Sequence, residues 1–416
     1  MTSDVIIVGG GAAGLFAACE LAKRWLDVCV IEPNSKLGRK LRITGKGRCN
    51  VTNNCDIDTI IKNIPRNPRF LYSALNQLSP ADVMEWFESR GVPLKTERGA
   101  RVFPVSDDAN DIAEALVREC KKLHVKFIKD KVTDIIYEDG EIKGVECVKG
   151  NYFADAVILA TGGLSYPATG STGDGYRFAE KLGHTVTDLS PSLVPIVCDE
   201  SFVCELTKLA LKNVTLSLYD TKKKSPLFSE IGELSFMPYG VAGPLSLSAS
   251  CLMSPKLLGE RRYKLVIDLK PGLTPEKLDA RILRDFSETP NVEYMHSLGR
   301  LLPRDLAQVV VDISKIDPRK PCNQITKEER LSLVHLLKHF ELTPTALRPV
   351  DEAIITRGGI SVKEIEPATM ASKLVKGLYF AGEIIDCDGY TGGFNLQIAF
   401  STAYAAASAI ANMKGR

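Results

Sequence analysis

No C-x-x-C occurs among the 11 cysteines, so neither a zinc ribbon nor a redox dithiol is indicated. The count is odd for a long chain, and most of these residues read as reduced, buried thiols of a cytosolic, cytoplasmic protein. No charge of one sign dominates: the formal net charge of +2 implies no bulk polyanion as partner. No uninterrupted apolar run reaches membrane-spanning length. Residues 396–411 come nearest, but Gln397, Ser401, Thr402 and Ser408 interrupt them, and the stretch is Ala-rich like a helix packed on a sheet. No basic region precedes the apolar stretch 5–22; Asp4 does, and glycines break it, which argues against a secretory signal. The five histidines, His124, His184, His296, His335 and His339, form no metal-ligand spacing with acids or cysteines. His335 and His339 stand at i, i+4 without a third ligand and read as a helix surface.

What the chain does have begins at once. Residues 5–8 are an apolar run sized for one buried parallel strand. They lead into Gly9, Gly11 and Gly14, the G-x-G-x-x-G spacing, and then into an Ala-rich helix over 12–23. A second strand, 28–31, ends on Glu32. Gly9 permits the tight turn, Gly11 lets a pyrophosphate approach the backbone, and Gly14 lets helix and strand pack closely. The helix start offers free N–H groups and the positive end of its dipole to phosphates. Glu32 lies at the distance, about 20 residues on, where a carboxylate accepts from ribose hydroxyls. The acid also repels a 2′-phosphate. Strand, glycines, helix, second strand and acid together point to a dinucleotide site.

The next stretch, 38–53, reads GRKLRITGKGRCNVTN, with five cations, Arg39, Lys40, Arg42, Lys46 and Arg48, in ten residues. Such a run is commonly a solvated face or a nucleic-acid patch. Here Gly45 and Gly47 interleave the charges and the run ends in small polar residues, so a loop crossing back over the cofactor is the better reading. Further on, helices are expected over 70–90 and 108–123, and strands over 125–128, 132–137 and 142–148. A buried strand at 156–160 meets Thr161-Gly162-Gly163, and the loop after it holds Ser165, Tyr166 and several glycines that do not form a second G-x-G-x-x-G.

The character changes near Pro191. Short strands suit a barrel or a sandwich, Lys222-Lys223-Lys224 reads as a solvated hairpin tip, and helices are expected over 275–287, 293–313 and 327–340. The chain therefore divides into 1–190, a first part of a nucleotide-binding domain; 191–345, an inserted substrate domain of a small β-unit plus helical cap; and 346–416, the second part. The last part carries a strand at 377–381, then Gly382-Glu383, Asp386, Gly392-Gly393 and Asn395-Leu396-Gln397 opening an Ala-rich helix. A glycine-loaded helix start can hold a negative group, such as the N1–C2=O edge of a reduced flavin, and Asp386 is placed to reach a ribityl hydroxyl.

GRKLRITGKGRCNVTN, ATGG at 160–163 and GLYFAGEIIDCDGYTGGFNLQIAFST at 377–402 resemble the bacterial FAD-binding family that includes aminoacetone oxidase and a bile-acid dehydro-steroid reductase. The resemblance covers essentially the whole chain. It implies an α/β fold: a Rossmann-like FAD-binding domain, split in sequence, with a β-barrel and a helical domain inserted between the halves. It implies FAD contacts at Gly9, Gly11, Ala13, Gly14 and Glu32, then along the loop at Arg39, Lys40, Thr44, Gly47, Arg48, Cys49 and Asn50. Further contacts are implied at Val132, Thr161, Gly162, Gly382, Glu383, Asp386, Gly392, Gly393, Asn395, Leu396 and Gln397. The chain departs from the family at Met237-Pro238, where a Thr-His pair is frequent, at Cys387, where an aliphatic stands, and at Ala403, where a glycine does.

A flavin carries the redox chemistry and the protein orients and tunes it. The expected enzyme is an FAD-dependent oxidoreductase passing hydride through flavin N5, with NAD(P)H as transient electron donor and a small unsaturated carbonyl compound as substrate. Arg48 is expected to stabilise the reduced ring, Asn50 to orient a carbonyl or amine, and Tyr166 to act as an acid. Two alternatives stand beside this: an oxidase of a small amine using dioxygen, and an RNA-associated flavoprotein, although nucleic acid is the less favoured partner. No metal is expected, and no membrane association.

Overall fold

The computed structural model describes residues 2–415, which divide into two compact units. Residues up to Ser192 and from Val350 onward form one; Leu193–Pro349 form the other. The first unit is built on parallel strands. β1 (Thr2–Val8) leads into helix α1 (Ala12–Ala22) and β2 (Val28–Ile31). Helix α2 (Ala109–Lys122) precedes β3 (Lys126–Ile128), the hairpin β4 (Val132–Glu138) and β5 (Glu141–Cys147), and the long strand β6 (Gly150–Leu159). After the second unit the chain returns as β7 (Leu378–Phe380) and helix α3 (Phe394–Met413).

The parallel order is β3-β2-β1-β6-β7, with β1 in the middle. The N-terminal half of β6 instead takes β5 antiparallel on the edge that its C-terminal half gives to β7. Val5 to Val8 are at most 5% exposed, as a strand covered on both faces must be, so its apolar residues run without alternation. α1 is buried on nearly every side for the same reason. Its Phe16 ring lies 5.1 Å from Phe400 of α3, and Cys19 Sγ sits 3.2 Å from Cys120 Sγ of α2. Asp108 caps α2 by accepting from the Asn110 amide.

Two of the expected helices are broken. The 70–90 stretch ends a first helix at Gln77 and restarts at Pro80–Glu88, where Ser79 and Asp82 form a capping box. The residue before a proline disfavours helical backbone, so Ser79-Pro80 begins a helix and cannot continue one. Likewise only Arg304–Ile313 is α-helical within 293–313, after Pro303 and two short 3₁₀ turns.

In the second unit, strands Ala210–Asp220, Phe228–Met237 and Tyr263–Asp268 form the centre of a seven-stranded antiparallel sheet. One edge is Phe340–Leu342 and the other is Pro344–Leu347. Thr343 alone separates them, so a single bent strand serves both edges and closes the sheet into a barrel. The Thr343 amide donates to both oxygens of Glu200, at 2.9 and 3.0 Å, which holds the bend. Residues 232–250 continue the strand to Met237, add Gly240–Ala242 and end in helix Pro244–Ser250. Lys222, Lys223 and Lys224 are exposed at their turn.

Candidate functional site

β1 delivers the glycine loop to the C-terminal edge of the parallel sheet, and the loop's glycines do different work. Gly9 has φ +109°, and a Cβ there would meet the Ala160 carbonyl oxygen at 2.6 Å. A Cβ on Gly14 would lie 2.0 Å from the Gly9 carbonyl oxygen, so helix and turn touch backbone to backbone. Gly11 differs: a Cβ there would have no protein atom within 4 Å. No side chain caps α1 at Gly11, so its first amides point into that open space unmet by the protein. An uncapped N-terminus facing an open cradle is an anion site.

Glu32 closes the loop from β2. Its Oε2 accepts from the Gly10 amide at 2.9 Å, and Oε1 accepts from the backbone and side-chain nitrogens of Asn34 at 2.9 and 2.7 Å. A cleft of about 370 Å³ opens beside it, floored by Val30, Phe127 and Ile128. Arg39 Nη1 donates to Asn34 Oδ1 at 2.6 Å, and the Gly38 amide donates to the Gly10 carbonyl, so the 38–48 loop is tied to the glycine loop. Ala13 packs against the C-terminal half: a Cβ on Gly382, φ +78°, would lie 3.0 Å from Ala13 Cβ.

Several expected ligand side chains are already committed to protein partners. Arg48 donates from Nη2 to Glu97 and Asp107, 2.5 Å each, and from Nε to Asp107 at 2.9 Å, while its guanidinium stacks 4.2 Å from the Phe103 ring. Those carboxylates raise its pKa further and neutralise it, so Arg48 brings no free positive charge to a flavin ring. Asp386 is 4% exposed and paired with Arg66, whose Nη2 donates to Oδ2 at 3.0 Å; Asn67 Nδ2 donates to the same oxygen at 3.2 Å. Asp386, expected to reach a ribityl hydroxyl, is thus held in place by Arg66 and Asn67. Gln397 is fully buried, accepts from Thr52 Oγ1 at 2.6 Å and donates to the Leu78 carbonyl at 2.9 Å, joining α3 to two other segments. Asn395 accepts from the Gly389 amide and donates back to its carbonyl. Lys40 Nζ reaches Glu383 Oε2 at 2.6 Å and Ser165 Oγ at 2.7 Å, a bridge between distant parts of the unit. Tyr166 has φ +52°, and its carbonyl accepts from the Thr169 amide, so a turn sets its place. Val132 lies buried in β4, Leu396 is partly buried in the first turn of α3, and a Cβ on Gly393 would strike the Thr52 carbonyl oxygen at 2.3 Å. Thr44 donates to the Leu41 carbonyl, and Cys49 is fully buried, its thiol pushed up to about 12 by desolvation and therefore inert.

What remains unsatisfied is informative. Asn50 Oδ1, Thr161 Oγ1, Tyr176 OH and Asp388 Oδ1 are buried and have no hydrogen-bond partner. Native interiors rarely leave such atoms unmet. Asn50 ends the cationic loop, Thr161 follows β6, and Asp388 lies in the glycine-rich turn before α3, the segments that line the C-terminal edge of the sheet. Gly47, with φ +84°, has no protein atom within 4 Å of where a Cβ would stand, whereas a Cβ on Gly392 would meet the Phe394 ring at 2.8 Å and one on Gly162 would meet Ser171 Oγ at 3.0 Å. An open anion cradle, an acid beside a nucleoside-sized cleft and orphaned polar atoms in the flanking turns fit a dinucleotide cofactor such as FAD. Gly11, the α1 amides, Glu32, Thr161 and Asn50 would hold it.

Sequence reasoning missed Arg66, Asn67, Tyr176, Thr356 and Asp388. Thr356 Oγ1 accepts from the Leu164 and Ser165 amides, and its own amide donates to Glu383 Oε1, so it fixes the loop after β6. Tyr176 is driven far up by burial and by the carboxylates of Glu383 and Asp386, and it stays neutral. Asp388, 2% exposed, is raised to about 6, chiefly by burial. Its position within D-C-D-G was the available signal, one acid of a close pair.

The chain matches the HI0933-like protein Rossmann domain over residues 3–409. It is 33% identical, over 98% of both chains, to a ribosomal RNA dihydrouridine synthase of Haemophilus influenzae. It is 28% identical to a 3-dehydro-bile acid delta(4,6)-reductase of Clostridium scindens, covering 97% of this chain and 98% of that one. Among solved structures, the open conformation of a flavocytochrome c3 fumarate reductase shares the fold, with a TM-score of 0.52 at 17% identity over 99% of this chain and 78% of that one. With the split parallel sheet, the open glycine cradle and the C-terminal turn in place, the chain belongs to the HI0933-like family of FAD-binding Rossmann proteins and is an FAD-dependent oxidoreductase.

Proposed function

We propose that this enzyme saturates a carbon–carbon double bond conjugated with a carbonyl, taking its electrons from NADH or NADPH. One observation carries the reading. Two relatives matched over nearly the whole chain are named for that chemistry: dihydrouridine is uridine saturated at a bond conjugated with a carbonyl, and a 3-dehydro delta(4,6) system is a conjugated dienone. FAD, when bound, supplies hydride transfer at N5. The protein's part is to hold and orient. The α1 N-terminus and Gly11 take the diphosphate, Glu32 accepts from ribose hydroxyls, and Thr161 and Asn50 complete their hydrogen bonds on the cofactor or substrate. Lys40, Glu383, Ser165 and Thr356 brace the loop that lies against it. The Leu193–Pro349 unit, with its closed barrel, is the part we assign to substrate selection.

A second reading concerns the substrate alone. The 33% identity with a ribosomal RNA dihydrouridine synthase favours a uridine of ribosomal RNA over a free small molecule. One series of anaerobic experiments tests both. The enzyme is reduced with NADH or NADPH and then offered a steroid 4-en-3-one, a ribosomal RNA transcript, or dioxygen with an amine. Rapid bleaching by the nicotinamide and rapid reoxidation by enone or RNA are expected. Reduction by the amine, with dioxygen as sole acceptor, would overturn the proposal in favour of an oxidase.

A further inference from the structure

Saturating a conjugated C=C takes two hydrogens. A hydride goes to the carbon β to the carbonyl, and a proton must reach the α carbon. The double bond's electron pair becomes the new bond to that proton, and the acid that gives it up is left as a conjugate base to be reprotonated by solvent. The flavin accounts for the hydride. Three buried acids of the first unit, Tyr176, Asp386 and Asp388, can be compared directly.

Tyr176 is buried and held neutral at a pKa too high for efficient donation near neutrality. Asp386 is locked in an ion pair with Arg66 and receives a second hydrogen bond from Asn67. Asp388, two residues on in the same turn, is treated differently. Its Oδ2 accepts one hydrogen bond, from Ser192 Oγ at 3.0 Å, and its Oδ1 accepts none. The side chain is nevertheless inside the protein. Two carboxyl groups in one turn thus have different surroundings: Asp386 is held by Arg66 and Asn67, while Asp388 keeps one oxygen without a partner.

We propose that Asp388 is the acid that supplies the α-carbon proton, delivered from Oδ1, the oxygen that the protein leaves without a partner. The inference rests on the reductase reading above. The groups bearing on Asp388 are consistent with it. Burial dominates and Asp386 adds to it, both favouring the neutral acid; Ser192, Arg357 and Arg66 oppose them. The outcome, about 6, is an acid that still carries its proton in mildly acidic conditions and can recover it from water. Ser192 belongs to the strand Ser190–Ser192, which pairs with Ile355–Arg357, so a hydrogen-bonded ladder fixes the hydroxyl that orients the carboxyl. Next to Asp388, Gly389 is bound to Asn395 at the start of α3, which fixes the acid's own backbone.

The test uses the FAD-loaded, pre-reduced enzyme in a single turnover with a steroid 4-en-3-one. Asp388→Asn should slow reoxidation by about 100- to 10,000-fold, the usual worth of a positioned acid. Reduction of the flavin by NADH or NADPH should keep its wild-type rate. The wild-type rate should fall as pH rises through about 6, and the variant's should not. Ser192→Ala, which removes the one hydrogen bond favouring the anion, should move that fall to higher pH and covers the case in which Asp388→Asn folds poorly. Infrared difference spectra of the wild type should show a protonated carboxyl band, titrating over the same pH range, that Asp388→Asn abolishes. Equal reoxidation rates, or an unchanged pH profile in both variants, would overturn the role of Asp388 alone. A wild type that no conjugated carbonyl, steroid or RNA, reoxidises would refute the reductase reading and the role with it.

Discussion

Removing the Arg66 side chain tests how the C-terminal turn is held. Asp386 is 5% exposed in its side chain and Arg66 29%, so Arg66→Met leaves a carboxylate almost wholly out of water with one amide, Asn67 Nδ2 at 3.2 Å, as its remaining side-chain donor. Breaking a fully buried pair from one side costs about 3–5 kcal/mol. The surviving amide and the partial exposure of Arg66 reduce this to about 2–4 kcal/mol. A unit of this size converts that into a fall in melting temperature of roughly 5–10 °C. Differential scanning calorimetry of the FAD-loaded protein measures it. Asp386→Asn in the same chain supplies the control, because with no charge left to bury the double variant should be more stable than Arg66→Met alone. A loss below about 1 kcal/mol, or a double variant no better than the single one, would refute the view that Arg66 exists chiefly to neutralise Asp386.

The glycines of the first loop make a sharper pair. Gly11→Ala should leave the stability of the FAD-free protein within about 0.5 kcal/mol while weakening FAD binding, because its Cβ meets no protein atom. Gly14→Ala should destabilise the fold itself, since its Cβ would stand 2.0 Å from a backbone oxygen; thermal melts of the two apoproteins distinguish them. Arg48→Met should leave both FAD affinity and the two-electron potential unchanged, because Glu97 and Asp107 already take the charge; spectroelectrochemical titration decides, and a lowered potential would return the guanidinium to the ring. The last prediction concerns pH. Asp388 has a folded-state pKa raised to about 6 from an ordinary value of 3.8, so its contribution to stability is complete below the ordinary value and is lost as pH rises through about 6. That loss is on the order of 3 kcal/mol, and Asp388→Asn should flatten the corresponding slope in melts taken between these pH values.

Local chemistry carried much of this protein into view. The parallel strands at 5–8 and 28–31, the helix between them and the turn at Gly9 follow from an apolar run, a glycine spacing and backbone sterics, all confined to a few neighbouring residues. The helix expected over 108–123 and the strands of the β4–β5 hairpin are of the same kind. The breaks at Ser79-Pro80 and Pro303 were equally local, but the helical periodicity of the flanking residues masked them. Which charges are free was beyond reach of any local pattern. Arg48 and Asp107 are separated by 59 positions, Lys40 and Glu383 by 343, Arg66 and Asp386 by 320. A cation in a glycine-rich loop reads as a ligand for phosphate until the fold brings up the carboxylate that claims it. The same holds for barrel closure, where one bent residue, Thr343, lets a single strand serve both edges of a sheet. It holds also for Asp388, an ordinary acid in the sequence, whose unmet oxygen and raised pKa arise from burial and from the segments packed around it. Short-range sterics and periodicity write themselves into neighbouring residues; desolvation and charge pairing depend on what the completed fold places alongside.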